Sequence, residues 1–261
     1  MEINLQNKTA WVFGGSKGIG RAIAIELSKA GANILLIARN KTALQKTLKE
    51  LCVKRQQEHD FISLDMSNPD SVVAALKSYR NVHSVDIVVN NSGGPAGGPA
   101  HTADLSEYVH GFYQHVLSAQ AISRVALQQM KRKQFGRIIN IISTSVKQPI
   151  PGLGVSNTIR GAMANWAKTL ASELGQFGVT VNNILPGATN TERLHGLIEA
   201  SSKNKNISKQ SLVEKMKKDI PVGRFAEPQE IAGAVVFLCS DFANYINGVN
   251  LPIDGGRTKS L

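Results

Sequence analysis

The stretch from Thr9 to Gly20 constrains this chain most. Residues 9–13 (Thr-Ala-Trp-Val-Phe) are a short apolar run, Gly14-Gly15-Ser16-Lys17-Gly18-Ile19-Gly20 follows, and apolar residues then recur at Ala22, Ile23, Ala24, Leu27 and Ala30. A run too short for a helix gives way to a 3.6-residue period, so the order is strand, glycine turn, helix. Glycine permits a tight turn and lets backbone approach a ligand closely. The following helix offers unpaired N–H groups and its positive dipole end to that turn, a setting that suits a phosphate. Gly31 is a natural C-terminal cap, and residues 32–38 (Ala-Asn-Ile-Leu-Leu-Ile-Ala) read as a second strand buried on both faces.

The alternation continues to the end of the chain. Helices are expected over residues 41–54, 70–79, 105–133, 160–174 and 228–238, and strands over 60–64, 85–89, 137–142, 179–184 and 250–253. Alternating strands and helices imply right-handed crossovers and an α/β fold: a doubly wound parallel sheet covered on both faces. No linker divides the chain, so residues 1–261 are expected to form a single domain. Residues 190–220 are the least sheet-like part, with six lysines between 194 and 219. Ligands of such sheets bind beyond the carboxyl ends of the strands. A helical flap over a substrate and a solvated insertion are both open readings of this segment.

Composition narrows the setting. A hydrophobic fraction of 42% over 261 residues suits one sizeable core. Cys52 and Cys239 are the only cysteines and form no CxxC pair, so neither a disulfide scaffold nor a metal site is expected. Reduced thiols fit the cytoplasm. Residues 1–8 are polar without the pattern of a secretion signal, and no apolar run reaches the length of a membrane span. The basic residues behind the net charge of +11 are scattered, with local groups at Lys131-Arg132-Lys133 and Lys215-Lys217-Lys218. No nucleic-acid-binding signature accompanies these groups, so solvation and some attraction for phosphate is the preferred reading.

The end of the second strand discriminates between cofactors. An NAD-type site places an acid there for the ribose diol. This chain reads Ala38-Arg39-Asn40 instead. Arg39 offers a planar donor fork to a 2′-phosphate, and Lys17 adds a second positive charge, so NADP(H) is preferred over NAD with a solvent-facing Arg39. Asp65, after the third strand, either accepts from the adenine amino group or caps the next helix.

Further stretches match a known pattern: Asn90-Asn91-Ser92-Gly93, Pro186-Gly187 with Thr191, Pro221-Val222-Gly223-Arg224-Phe225, Glu230-Ile231-Ala232 and Asp254-Gly255-Gly256. With the glycine turn, they make the chain resemble a classical short-chain dehydrogenase/reductase, close to the 3-oxoacyl-[acyl-carrier-protein] reductase branch, over almost its whole length. The resemblance implies a Rossmann-type fold, NADP(H) as cofactor, a small-molecule or acyl-thioester substrate, and a homo-oligomer (tetramer or dimer). It places cofactor contacts at Gly14, Ser16, Lys17, Gly18, Ile19, Gly20, Arg39, Asp65, Met66, Asn91, Gly93, Arg160, Pro186, Gly187 and Thr191.

The implied active site departs from the family. The family uses serine, tyrosine and lysine, with a supporting asparagine. Ser143 matches the serine, but Ser156 stands at the tyrosine position, Arg160 at the lysine and His115 at the asparagine. No tyrosine occurs between Tyr113 and Tyr245, so no shift of register restores one. A serine hydroxyl is a far poorer acid than a phenol, whose pKa is about 10. Arg160 suits an oxyanion or a ribose hydroxyl and is a poor proton shuttle. His115 titrates near neutrality in its ordinary state, so it is either a proton source or a packed helix residue. Tyr113 and Tyr245 are weaker proton-donor candidates. Three functions follow: a carbonyl reductase with an atypical relay, a cofactor-binding structural or regulatory subunit without turnover, and a non-redox dehydratase or cyclase. Asn157 and the loops 93–99 and 149–152 are expected at the pocket wall.

Overall fold

The computed structural model describes residues 2–79 and 84–260. Its sheet contains β1 (Thr9–Phe13), β2 (Asn33–Ala38), β3 (His59–Ser63), β4 (Val85–Asn90), β5 (Gly136–Ile141), β6 (Val179–Pro186) and β7 (Asn250–Ile253). The order is β3-β2-β1-β4-β5-β6-β7 and every neighbouring pair is parallel. The order reverses between β1 and β4, where a ligand cleft opens at the carboxyl ends of a doubly wound sheet.

Helices cover both faces: α1 (Gly18–Lys29), α2 (Lys41–Leu48), α3 (Pro69–Ser78), α4 (Leu105–Phe112), α5 (Ser118–Lys133), α6 (Gly154–Leu174), α7 (Glu192–Lys205), α8 (Lys209–Lys218) and α9 (Pro228–Cys239). The period-two alternation of β1 decides which face each residue serves. Ala10 and Val12 join one core with α1 and α9, while Trp11 and Phe13 join another with α3, α5 and α6. Burial of these apolar surfaces, at about 25 cal/mol per Å², is the main force holding both layers to the sheet.

Three boundaries differ from the sequence reading. α2 stops at Leu48 rather than 54, and Gln56 takes a left-handed φ of 61° where the chain turns toward β3. α6 begins at Gly154, six residues before Arg160, because Pro149 and Pro151 lie in the preceding loop and do not interrupt it. The region 105–133 is not one regular helix. A five-residue π-helical turn, Tyr113–Leu117, separates α4 from α5. Such turns carry one residue more than an α-turn and often mark functional positions.

One polar feature crosses the core. Asn90, Asn140, Asn183 and Asn250 occupy matched register positions on β4, β5, β6 and β7. Each side-chain amide donates to the next carbonyl at 2.8 Å. Buried amides are stable only when paired, and the ladder satisfies most of them. It ends at Asn90, whose buried Oδ1 has no partner among the described residues and lies at the cleft.

Candidate active site

The glycine turn is closed from behind by Asn91. Its Nδ2 donates to the Phe13 and Gly14 carbonyls at 3.3 and 3.4 Å. Gly14 has φ +63°, and a Cβ there would lie 2.5 Å from the Asn91 amide and carbonyl. A Cβ on Gly20 would overlap the Gly14 carbonyl oxygen. Gly18, with φ +54°, faces the Thr191 methyl. These glycines are therefore required by backbone conformation and close approach. α1 has Lys17 at its N-cap with no side-chain cap and no acid in its first turn, so its leading N–H groups and dipole stay available to an anion. The Ser16 carbonyl accepts from Thr47, and Ile19 packs against the core. The cradle fits a dinucleotide pyrophosphate on geometry alone.

At the end of β2, the Arg39 side chain is 74% exposed and lies 4.0 Å from Asp65. An exposed pair at that distance is worth little, so Arg39 is free to turn to a phosphate. Asp65 accepts from the Ser67 N–H, which holds its carboxyl below the usual range. The cap of α3 is Asn68, not Asp65. Lys17 reaches Glu192 at the start of α7 at 3.0 Å, an exposed contact across the cleft. The Met66 side chain is buried, and its carbonyl accepts from Ser118.

β5 and α6 position the catalytic candidates. Ser156 and Arg160 stand one turn apart on α6, at the spacing that shares a helix face. Arg160 is 7% exposed and its Nη1 donates to the Ile141 carbonyl, the last residue of β5, at 3.1 Å. Ser143 follows two residues later and its Oγ accepts from the Ser145 N–H. Burial and the Arg193 charge lower the Arg160 guanidinium to about 10, still charged at neutral pH.

His115 sits in the π-turn and is 4% exposed. Its Nδ1 lies 2.7 Å from Ser92 Oγ. Burial, reinforced by the Arg160 charge, pushes its imidazole down to about 2. The ring is therefore neutral in the folded protein, which favours the packed helix residue of the two readings the sequence leaves open. Ser92 is its partner. A cavity of about 10 Å³ borders Asn90, Ser92, His115 and Arg160. Among the described residues, Asn90 Oδ1, His115 Nε2 and Arg160 Nε are buried without partners.

The loops assemble around this point. Gly98 and the segment Gly152–Gly154 exchange backbone hydrogen bonds at 2.8 and 2.9 Å. Asn157 is committed to the second loop, donating to the Ile150 carbonyl at 2.9 Å. Gly187 N–H donates to the Ile253 carbonyl, and a Cβ there would lie 2.7 Å from Asp254, so close strand packing explains the Pro186-Gly187 pair. Nothing approaches within 4 Å of a Cβ on Gly93. Thr191 caps α7, accepting from the Leu194 N–H.

α7 and α8 form the helical segment expected at 190–220 and have their own small core of Leu194, Ile198 and Leu212. A groove of about 630 Å³ between them and α9 contains none of the candidate residues. Arg193, which sequence reasoning missed, anchors α7 to the 93–99 loop by donating to the Pro95 carbonyl at 2.7 Å. Tyr245 is fully exposed, and its neighbours Ile246 and Asn247 bond to Asn182 and Val181 near the amino end of β6. It lies at the opposite end of the sheet from the cleft and is no proton donor there. Tyr113 is 47% exposed and makes no hydrogen bond through its hydroxyl to a described residue.

Comparison with known proteins follows the same geometry. Residues 14–258 match the family model described as Enoyl-(Acyl carrier protein) reductase. The chain is 28% identical over 259 residues to the NADPH-dependent reductase BacG of Bacillus subtilis, covering 98% of this chain and 100% of that protein. It is 31% identical to the 3-oxoacyl-[acyl-carrier-protein] reductase FabG of Pseudomonas aeruginosa, covering 99% of this chain and 100% of the relative. The structure of L-sorbose reductase from Gluconobacter frateurii, complexed with NADPH and L-sorbose, superposes with a TM-score of 0.92 at 30% identity, each chain fully covered.

Proposed function

The chain belongs to the short-chain dehydrogenase/reductase family, and we propose that it is an NADP(H)-dependent oxidoreductase that reduces a carbonyl compound to an alcohol through an atypical site. The observation that carries this reading is the glycine turn closed on Asn91, with no room for a Cβ at Gly14 or Gly20, before an uncapped helix terminus. NADPH-dependent relatives support the same cofactor. When bound, it supplies the hydride.

The protein's own residues bind, orient and stabilise. Gly14, Ser16, Gly18, Ile19 and Gly20 present backbone to the pyrophosphate, with Thr191 across the turn. Arg39 and Lys17 would hold the 2′-phosphate, and Asp65 and Met66 would serve the adenine end. Asn91, Gly93, Pro186 and Gly187 shape the nicotinamide half, and Arg160 holds its ribose. Ser143 and Ser156 donate hydrogen bonds to the carbonyl oxygen. Arg160 supplies the charge that stabilises the oxyanion forming there. His115, uncharged, holds Ser92, and the proton reaches the product oxygen from water. A 3-oxoacyl thioester is one substrate this reading allows. Exposed Leu105, Val109 and Phe112 on α4 suit a contact between copies in a homo-oligomer. Cytoplasmic residence accords with the free thiols; among the described residues no helix is long and apolar enough to cross a membrane.

Incubation with NADPH and a panel of 3-oxoacyl thioesters and small ketones tests the reading. Alcohol formed in step with NADPH oxidised is the expected result. The absence of any described group that titrates as a ready acid at Ser156 or His115 favours a second reading, a cofactor-binding subunit. Tight NADPH binding without turnover would establish it, and conversion with NADPH unchanged would instead mark a dehydratase or cyclase.

A further inference from the structure

Two arginines converge on one point of the cleft. A methyl group placed on Gly94 would lie 3.1 Å from Arg193 Nη2 and 3.6 Å from Arg160 Nη2. Arg193 approaches from the second position of α7, and Arg160 from the buried face of α6. Neither forms an ion pair with an Asp or Glu among the described residues. Protein groups use them incompletely. Arg160 gives Nη1 to a backbone carbonyl and leaves Nε unpartnered, and Arg193 gives Nη2 to Pro95. Each guanidinium carries five donors, so both forks retain unused N–H groups.

Two like charges drawn partly out of water, with no counter-ion, are unfavourable in the free protein. An anion between them reverses the balance. A carboxylate does this best, because its two oxygens accept from two planar forks at once. Burial lowers both guanidinium groups, and the Arg193 charge adds to the lowering of Arg160, as unneutralised neighbours require.

The cofactor's own phosphates have other hosts in this fold: the Gly14–Gly20 turn with α1, and Arg39 at the end of β2. The nicotinamide ribose assigned to Arg160 is an uncharged diol and needs no second cation. Arg160 is tied to Ile141, two residues before Ser143, so the paired arginines border the place of the reacting carbonyl. Gly94 has no side chain to obstruct them, and its loop is stitched to Gly152–Gly154.

We infer that Arg160 and Arg193 together grip a carboxylate of the substrate, so that the carbonyl compound reduced here is an oxo acid. The inference rests on the reductase reading for the word substrate, but the anion site itself does not require turnover.

The test measures binding, not activity. The NADP⁺-saturated protein is titrated by calorimetry with straight-chain oxo acids, from 2-oxobutanoate to 5-oxohexanoate, and with their methyl esters. At least one acid is expected to bind ten-fold or more tightly than its ester. Arg193→Gln is expected to bring acid and ester to equal affinity while the NADPH dissociation constant, read by fluorescence, stays unchanged. Gly94→Ala, which inserts a methyl between the two groups, provides a second variant with the same expected loss. NADPH titration confirms that each variant is folded. Equal binding of acids and esters throughout the series overturns the inference. So does an acid preference that survives both variants, or a ten-fold loss of NADPH affinity in Arg193→Gln with the acid-to-ester ratio unchanged. Acid-selective binding here, with no NADPH oxidised when the same acids are mixed with NADPH and the protein in a separate assay, would leave the anion site standing and remove the reductase reading alone.

Discussion

Replacing His115 with asparagine is predicted to make the protein more resistant to acid. In the unfolded chain this imidazole takes up a proton below its ordinary value of 6.5, whereas in the folded protein it stays neutral down to about 2. The unfolded state therefore binds more protons throughout that window. The stability His115 contributes is complete above pH 6.5 and is lost progressively as the pH falls toward 2. The slope is about 1.4 kcal/mol per pH unit, so at about pH 4.5 the penalty is about 2.7 kcal/mol. Burial is the dominant cause, with the Arg160 charge second, so the penalty belongs to the ring at this position. Asparagine removes the titration and keeps a polar group beside Ser92. Urea unfolding at about pH 7.5 and pH 4.5 measures the effect in both proteins. His59, also lowered by burial, and the carboxylates change equally in both and cancel in the difference. Wild type should lose about 2–3 kcal/mol more than His115→Asn between the two conditions. Parallel losses would refute the neutral buried imidazole.

Three further outcomes follow from the site. Gly20→Ala drives a Cβ into the Gly14 carbonyl and should abolish NADPH binding in a fluorescence titration while leaving a cooperative thermal transition. Arg39→Ala removes a charge-assisted contact worth about 1.5–3 kcal/mol, so the preference for NADPH over NADH should fall roughly ten-fold to a hundred-fold. Arg160→Gln removes the charge beside the reacting oxygen and should lower kcat/KM by about 10²–10³ in steady-state assays, with Ser143→Ala costing less.

Much of the fold was legible because parallel strands buried on both faces advertise themselves as apolar runs. β1 and β2 fall within a residue of their expected bounds for that reason. Of the two readings of Asp65, the helix cap goes instead to Asn68, three residues on, which offers the same chemistry nearer the helix. The π-turn at Tyr113–Leu117 has no periodic signature, since one inserted residue disappears into a long helical pattern. The glycine cradle was readable from spacing, while the role of Asn91 in closing it required the fold. Ser92 was visible only as part of the Asn90–Gly93 motif, and its pairing with His115 joins residues 23 apart. Arg193 sat in a lysine-rich segment where one more cation carries no information. Its meaning appears only when α7 brings it against Gly94 and Arg160.

The proposed reaction is hydride transfer by a site without the family's tyrosine and lysine. Its most direct test uses NADPH deuterated at the transferring position, with ketones, 3-oxoacyl thioesters and oxo acids as acceptors, and mass spectrometry of the products. The account predicts an alcohol carrying one deuterium on the former carbonyl carbon for each cofactor oxidised, and loss of that product in Arg160→Gln. Saturating NADPH binding with no deuterated alcohol from any acceptor would contradict it.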